Sequence, residues 1–135
     1  MNLACKAIFI SGNRILLQHR DNDKNIWSPN HWGFFGGGAD LKENPEDCLI
    51  REIREELSIN CKIVKKIFEC MHIESNTKNI FYCTSTNDQI NNLKLKEGQN
   101  FGWFSIEEIS KLQITWDTKI FLNYLNNHKL QIHEL

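Results

Sequence analysis

Residues 37–59 read GGADLKENPEDCLIREIREELSI, and the fold turns on how this stretch is understood. Asn44-Pro45 is a helix start, with Asn as the N-cap, Pro at the first helical position, and Glu46 and Asp47 complementing the dipole in the first turn. A helix from Pro45 to about Leu57 is expected. At ~100° per residue, Leu49, Ile50, Ile53 and Leu57 are assigned to a packing side, and Glu52, Glu55 and Glu56 to an acidic one. Carboxylates three and four apart repel by a few tenths of a kcal/mol per pair, so something should compensate. Arg51 and Arg54 supply part of this, and a hard divalent cation does it better, because Mg2+ prefers carboxylate oxygens and keeps waters that a phosphate can displace. Upstream, Gly36-Gly37-Gly38 permits positive φ and close backbone approach to a ligand. Taken alone, the acidic helix reads as a solvated face and the triple glycine as a plain loop.

The joint spacing is what sets the stretch apart. Gly37, then Glu43, Arg51-Glu52-Ile53, Glu55-Glu56 and Ile59 closely resemble the Nudix box. Ser58 stands where the family has glycine, at a C-cap whose left-handed conformation favours glycine. Phe35 stands where a proline is common. The resemblance implies a Nudix-type α/β/α sandwich with a central mixed sheet, and hydrolysis of a diphosphate bond assisted by Mg2+, with Mn2+ as a substitute. It further implies that Glu52 and Glu56 ligate metal directly, that Glu55 is another ligand or a close neighbour, and that Gly36 offers a carbonyl. Arg51 would orient a catalytic carboxylate and Glu43 would brace the loop. By type alone, the general base is any of Glu52, Glu55, Glu56 or a carboxylate from a distant loop.

Outward from the box, Ala4 to Ile10, a turn at Ser11-Gly12-Asn13 and Ile15 to His19 predict a β-hairpin. Asp21 to His31 is polar and reads as a loop leading into Trp32-Gly33-Phe34-Phe35 and the glycines. Lys62 to Met71, Ile80 to Thr84 and Phe101 to Phe104 predict further strands. Ser105 with Glu108 forms a capping box for a short helix to about Leu112, and Asp117 or Thr118 is a cap for a last amphipathic helix carrying Ile120, Phe121, Tyr124 and Leu125. Strands without regular strand-helix alternation give an α+β class, and 135 residues fit a single domain over 1–135.

Composition narrows the functional classes. Hydrophobic residues at 41% and charged residues at 24% are a globular balance. A net charge of -1 argues against a nucleic-acid polymer as partner, which needs clustered cations. The five cysteines, Cys5, Cys48, Cys61, Cys70 and Cys83, contain no Cys-x-x-Cys pair and read as reduced, mostly buried thiols. The first ten residues are too short an apolar run for a membrane helix, so the expectation is a cytoplasmic monomer or homodimer acting on a small-molecule nucleotide, with no membrane partner.

Outside the box, Glu97, Arg20, Trp116 and Asp117 are candidates by similarity to MutT-type enzymes, and several aromatic residues are candidates by type. Lys96-Glu97-Gly98 is similar to the loop that brings another glutamate to the metals there, and equally reads as a polar turn. Arg20 ends a predicted strand as a phosphate-binding candidate or a surface arginine. Trp116-Asp117 lies where such enzymes place a base-reading residue, without the asparagine they use for oxidised guanine. Trp27, Trp32 and Phe34 are stacking candidates, with the core favoured for Phe34. The function expected is hydrolysis of a nucleoside triphosphate or other nucleoside diphosphate derivative. The alternatives are a nucleotide-sugar or ADP-ribose-type hydrolase and a non-catalytic nucleotide sensor of the same fold.

Overall fold

A computed structural model describes residues 1–90 and 100–135, and these divide into two compact units. The first holds Met1–Phe9 and the described residues from 35 to 90. The second holds Ile10–Phe34 and residues 100–135.

The first unit is built on a mixed sheet. Strand β1 (Asn2–Ser11) pairs antiparallel with β4 (Phe35–Gly38), in the register Cys5 to Gly37 and Lys6 to Gly36. On its other edge β1 runs parallel to β6 (Thr77–Ser85), which pairs antiparallel with β5 (Lys62–His72). Two register shifts interrupt β5, between Ile63 and Lys65 and between Lys66 and Phe68. Such bulges, with the lysines around them, are the devices that discourage a sheet edge from pairing further. Helix α1 (Pro45–Leu57) runs as expected, packs on β4 and β5, and buries Leu49, Ile53 and Leu57. Ile8, Phe35, Ile59 and Phe81 complete the apolar interior of this unit.

The second unit centres on β2 (Arg14–His19), whose residues Ile15–Gln18 are all buried. It pairs antiparallel with the last two residues of β1, with β3 (Trp32–Gly33) and, along its other edge, with β7 (Asn100–Phe104). The predicted hairpin exists, but only at its tip, because the rest of β1 pairs with β4 and β6. Helix α2 (Ile106–Ile109) carries the expected Ser105/Glu108 capping box and stops short of Leu112. Helix α3 (Trp116–Asn127) buries Phe121 and Leu125, with Phe34 edge-on to Phe121 at 5.2 Å.

Two sequence expectations need correction. The triple glycine is strand rather than loop, because Gly36 follows a backbone path at φ 146° that lets β4 lie against β1; a Cβ there would collide with the Cys5 carbonyl. Helix α3 begins at Trp116 with Thr115 in the extended cap conformation, so Asp117 and Thr118 lie inside its first turn. Thr118 is buried, its hydroxyl 2.8 Å from that of Thr115, and is not free to cap. A final 3-10 turn at Ile132–Glu134 has no counterpart in the sequence reading.

Candidate active site

The box folds within the first unit around one guanidinium. Asn44 caps α1 by accepting from the Asp47 amide at 2.8 Å, which fixes where the helix starts and therefore which residues face β4. Arg51, two turns on, donates from Nε and Nη2 to both oxygens of Glu43, at 2.8 and 2.9 Å. The same side chain donates from Nη1 to Glu52 at 3.0 Å and to Glu55 at 3.3 Å, and from Nη2 to the Gly38 carbonyl at 3.2 Å. Only arginine presents donors in a planar fork that fits this set.

The electrostatics follow from this arrangement. The Arg51 fork is the main reason that the Glu43 carboxyl is held down at about 2, assisted by the Asp40 amide, which donates to Glu43 at 3.0 Å. Arg51 itself is pushed up, first by Glu43 and then by its other carboxylate partners. Glu43 thus anchors the loop before the helix to the second turn of that helix, the bracing that the family resemblance implies.

Glu56 departs from the sequence expectation. The sequence places it on an acidic face, yet it is only 2% exposed. The reason is angular: seven residues past Leu49 is two turns, so Glu56 falls about 20° from Leu49 and on the packing side. Its carboxylate accepts from the Gly36 amide at 3.0 Å. The glycine strand therefore offers this carboxylate a backbone donor.

Gly37 shows a second close approach. A Cβ at this position would lie 2.7 Å from each carboxylate oxygen of Glu52, so the absent side chain is what lets Glu52 rest against β4. Beneath the strand are two buried thiols, with Cys5 Sγ donating to the Pro45 carbonyl at 3.1 Å and Cys48 Sγ to the Gly37 carbonyl at 3.6 Å. Burial pushes the Cys5 thiol up to about 12 and raises that of Cys48, so both stay protonated near neutral pH. All five cysteines are thiols outside any disulfide, as expected, although Cys61, Cys70 and Cys83 are only part-buried.

For a divalent cation, the donor chemistry fits: Glu52 and Glu56 sit one turn apart on α1, both against β4, and Glu55 stands at the more exposed side. Among the described residues, no three His, Cys, Asp or Glu side chains form a ready cation-holding group. Glu52 and Glu55 are engaged by Arg51 in this structure.

The remaining candidates belong to the second unit or fall outside the described residues. Arg20 belongs to the second unit, where its Nε donates to the Trp27 carbonyl at 2.9 Å. That bond, with Arg20 amide to His31 carbonyl and Asn30 amide to Asp21 carbonyl, ties down the loop that leaves Trp27 78% exposed. Trp116 and Asp117 open α3 in the same unit, with Trp116 37% exposed. Trp32 stacks on His19 at 4.6 Å and is part of this unit's packing, as is buried Phe34. Glu97 lies outside the described residues. Sequence reasoning missed the roles of Cys48 and Asp40 around the cluster, since neither position is a fixed one in the box.

A model of the NUDIX domain matches residues 3–125 of the chain. A curated prenyl-diphosphate phosphatase from Methanosarcina mazei is 29% identical over 105 residues, covering 73% of this chain and 60% of that protein, so the match spans under two thirds of the relative's length. Among solved structures, a MutT NUDIX hydrolase from Burkholderia pseudomallei superposes with a TM-score of 0.73 at 25% identity, over 90% of this chain and 95% of that one. The MutT protein from Methanosarcina mazei Go1 superposes with a TM-score of 0.75 at 17% identity, over 95% and 94% of the two chains, a likeness of fold.

Proposed function

The chain belongs to the Nudix family, and from this premise we propose that it is a hydrolase that cleaves the diphosphate bond of a nucleoside triphosphate or another nucleoside diphosphate derivative in a reaction dependent on Mg2+ or Mn2+. The observation that carries the reading is the convergence of Arg51 with Glu43, Glu52 and Glu55, beside a buried Glu56 held by the Gly36 amide. A chain with no use for clustered carboxylates would not bury one of them on its glycine strand.

In this reading Glu52 and Glu56 hold the cation, with Glu55 and the Gly36 carbonyl beside them. When bound, the cation lowers the pKa of water and neutralises charge on the phosphate oxygens. Arg51 keeps Glu52 and Glu55 at fixed positions, and a carboxylate of this cluster takes the proton of the attacking water. Gly37 and Gly38 present backbone to the substrate, while Arg20, Trp116, Asp117 and Glu97 are the residues proposed to set its identity. The protein is proposed to work in the cytoplasm.

One observation favours a second substrate class. The named activity of the Methanosarcina mazei relative is on prenyl diphosphates, which present the same diphosphate on an apolar carrier. Both classes belong in one assay. Nucleoside triphosphates, ADP-ribose, nucleotide sugars and prenyl diphosphates are incubated with Mg2+ or Mn2+, comparing wild type with Glu56→Gln. Hydrolysis of at least one class by wild type, reduced roughly 100-fold or more in the variant, is expected for removal of a direct cation ligand. Equal rates would overturn the role of Glu56. Tight nucleotide binding without turnover would favour the sensor reading.

A further inference from the structure

Cys48 sits in the first half of α1 with no exposed surface, directly below the glycine strand. Its thiol points to the Gly37 carbonyl at 3.6 Å, and Gly37 is the residue whose missing Cβ makes room for both Glu52 oxygens. The neighbouring Cys5, paired in register with Gly37, donates to the Pro45 carbonyl at 3.1 Å and ties β1 to the first turn of the same helix. Two thiol donors therefore fasten β1 and β4 to α1. Glu52 lies one helical turn beyond Cys48 on α1, held by Arg51 at 3.0 Å, and rests against the same residue, Gly37, that accepts from the Cys48 thiol. A shift of the Gly37 peptide would be felt directly by Glu52, because the two have no side chain between them.

We propose that Cys48 is a positioning residue for the hydrolysis, its thiol fixing the Gly37 peptide so that Glu52 lies against a rigid backbone. The inference rests on the hydrolase reading above for its catalytic consequence, and on the Cys48–Gly37–Glu52 contact for its structural part. Alanine at this position keeps the helix and removes the donor. Serine restores a donor of similar size.

The test compares full-length wild type, Cys48→Ala and Cys48→Ser by steady-state kinetics on whichever substrate wild type hydrolyses, by thermal melting, and by the 13C resonances of the Gly37 carbonyl and Glu52 carboxyl. In Cys48→Ala, kcat is expected to fall about tenfold with KM within about twofold, the lower end of what losing an outer partner costs. The Gly37 and Glu52 resonances move together in this variant, and Cys48→Ser returns both the resonances and kcat to near wild type. Should the alanine variant melt early, Cys48→Val, which keeps bulk without a donor, takes its place. Wild-type kcat with unmoved resonances in the donor-less variant overturns the proposal. So does equal impairment of alanine and serine variants, which would mean packing and not the hydrogen bond. If wild type hydrolyses nothing in the panel, the hydrolase reading fails by itself; coupled resonance shifts would still support the Cys48–Gly37–Glu52 linkage, and their absence would refute it.

Discussion

Ser58 and Arg51 show how much a single residue can carry. Ser58 replaces the glycine of the box and does what that glycine would do: it ends α1 at φ 56°, ψ 36°, its amide bonded to the Arg54 carbonyl at 2.9 Å. A side chain in this left-handed conformation costs about 1–2 kcal/mol, while glycine loses about 0.4–1 kcal/mol through the entropy of its unfolded state. Ser58→Gly is therefore expected to stabilise the protein by roughly 0.5–1 kcal/mol, read as a higher midpoint in urea, with hydrolysis unchanged because Ser58 is exposed and outside the carboxylate cluster. Arg51→Lys tests the opposite kind of residue. It keeps the charge and loses the fork that meets both Glu43 oxygens, so kcat/KM should drop about 10- to 100-fold in assays at saturating cation. Glu43 makes acid sensitivity part of the same contact. Its carboxyl titrates at about 2 when folded against an ordinary 4.5, so the folded state binds fewer protons and acid favours unfolding. Its contribution is intact above about pH 4.5 and drains away toward pH 2. The melting-temperature gap between wild type and Glu43→Gln should accordingly be wide at pH 6 and narrow at pH 3; a gap that stays constant would refute the assignment.

At the scale of elements, β4 and α1 form the working pair, and two adjacent glycines on β4 make separable predictions. At Gly36 the backbone itself forbids a side chain, since φ is 146° and a Cβ would strike the Cys5 carbonyl. Gly36→Ala should destabilise by about 3 kcal/mol or more, combining backbone strain with lost pairing to β1. At Gly37 the obstacle is the carboxylate end of the Glu52 side chain and not backbone, its oxygens 2.7 Å from the added carbon. Gly37→Ala should melt close to wild type and yet lose on the order of 100-fold in kcat/KM, because Glu52 must move by about an ångström. Circular dichroism melts and kinetics on both variants separate the cases, and similar melting losses in the two would contradict them. The helix was legible in the sequence because Asn44-Pro45 and the leucine-isoleucine spacing are local signals that tertiary packing reinforced. The strand character of Gly36–Gly38 was not, since glycine has no strand propensity and the pairing partner lies some thirty residues away in β1. The burial of Glu56 has a signal in the sequence, because seven residues on from Leu49 it shares that residue's angle on the helix.

For the molecule as a whole, the site is one of local charge on a nearly neutral chain, and that makes cation binding visible in global stability. The net charge is only -1, while Glu43, Glu52, Glu55 and Glu56 gather around Arg51 or against β4. The family was legible because the box is contiguous and one helix turn brings its carboxylates together. The substrate was not, because the residues proposed to set it, Arg20, Trp116 and Asp117, carry no comparable local signature. A ligand that binds only the folded chain stabilises it by roughly 2.7 kcal/mol at a hundredfold excess over Kd. Mg2+ or Mn2+ held by Glu52 and Glu56 should thus raise the melting temperature progressively with concentration, and EDTA should abolish the rise. Glu56→Gln is the discriminating variant, since its amide oxygen still accepts from the Gly36 amide while the carboxylate charge is gone. In EDTA the variant is expected to melt at or above wild type, having lost a buried charge, and in saturating cation to show little further rise. A cation-dependent shift equal to that of wild type would place the ion away from Glu56, and the cluster would then have to be explained by the Arg51 contacts alone.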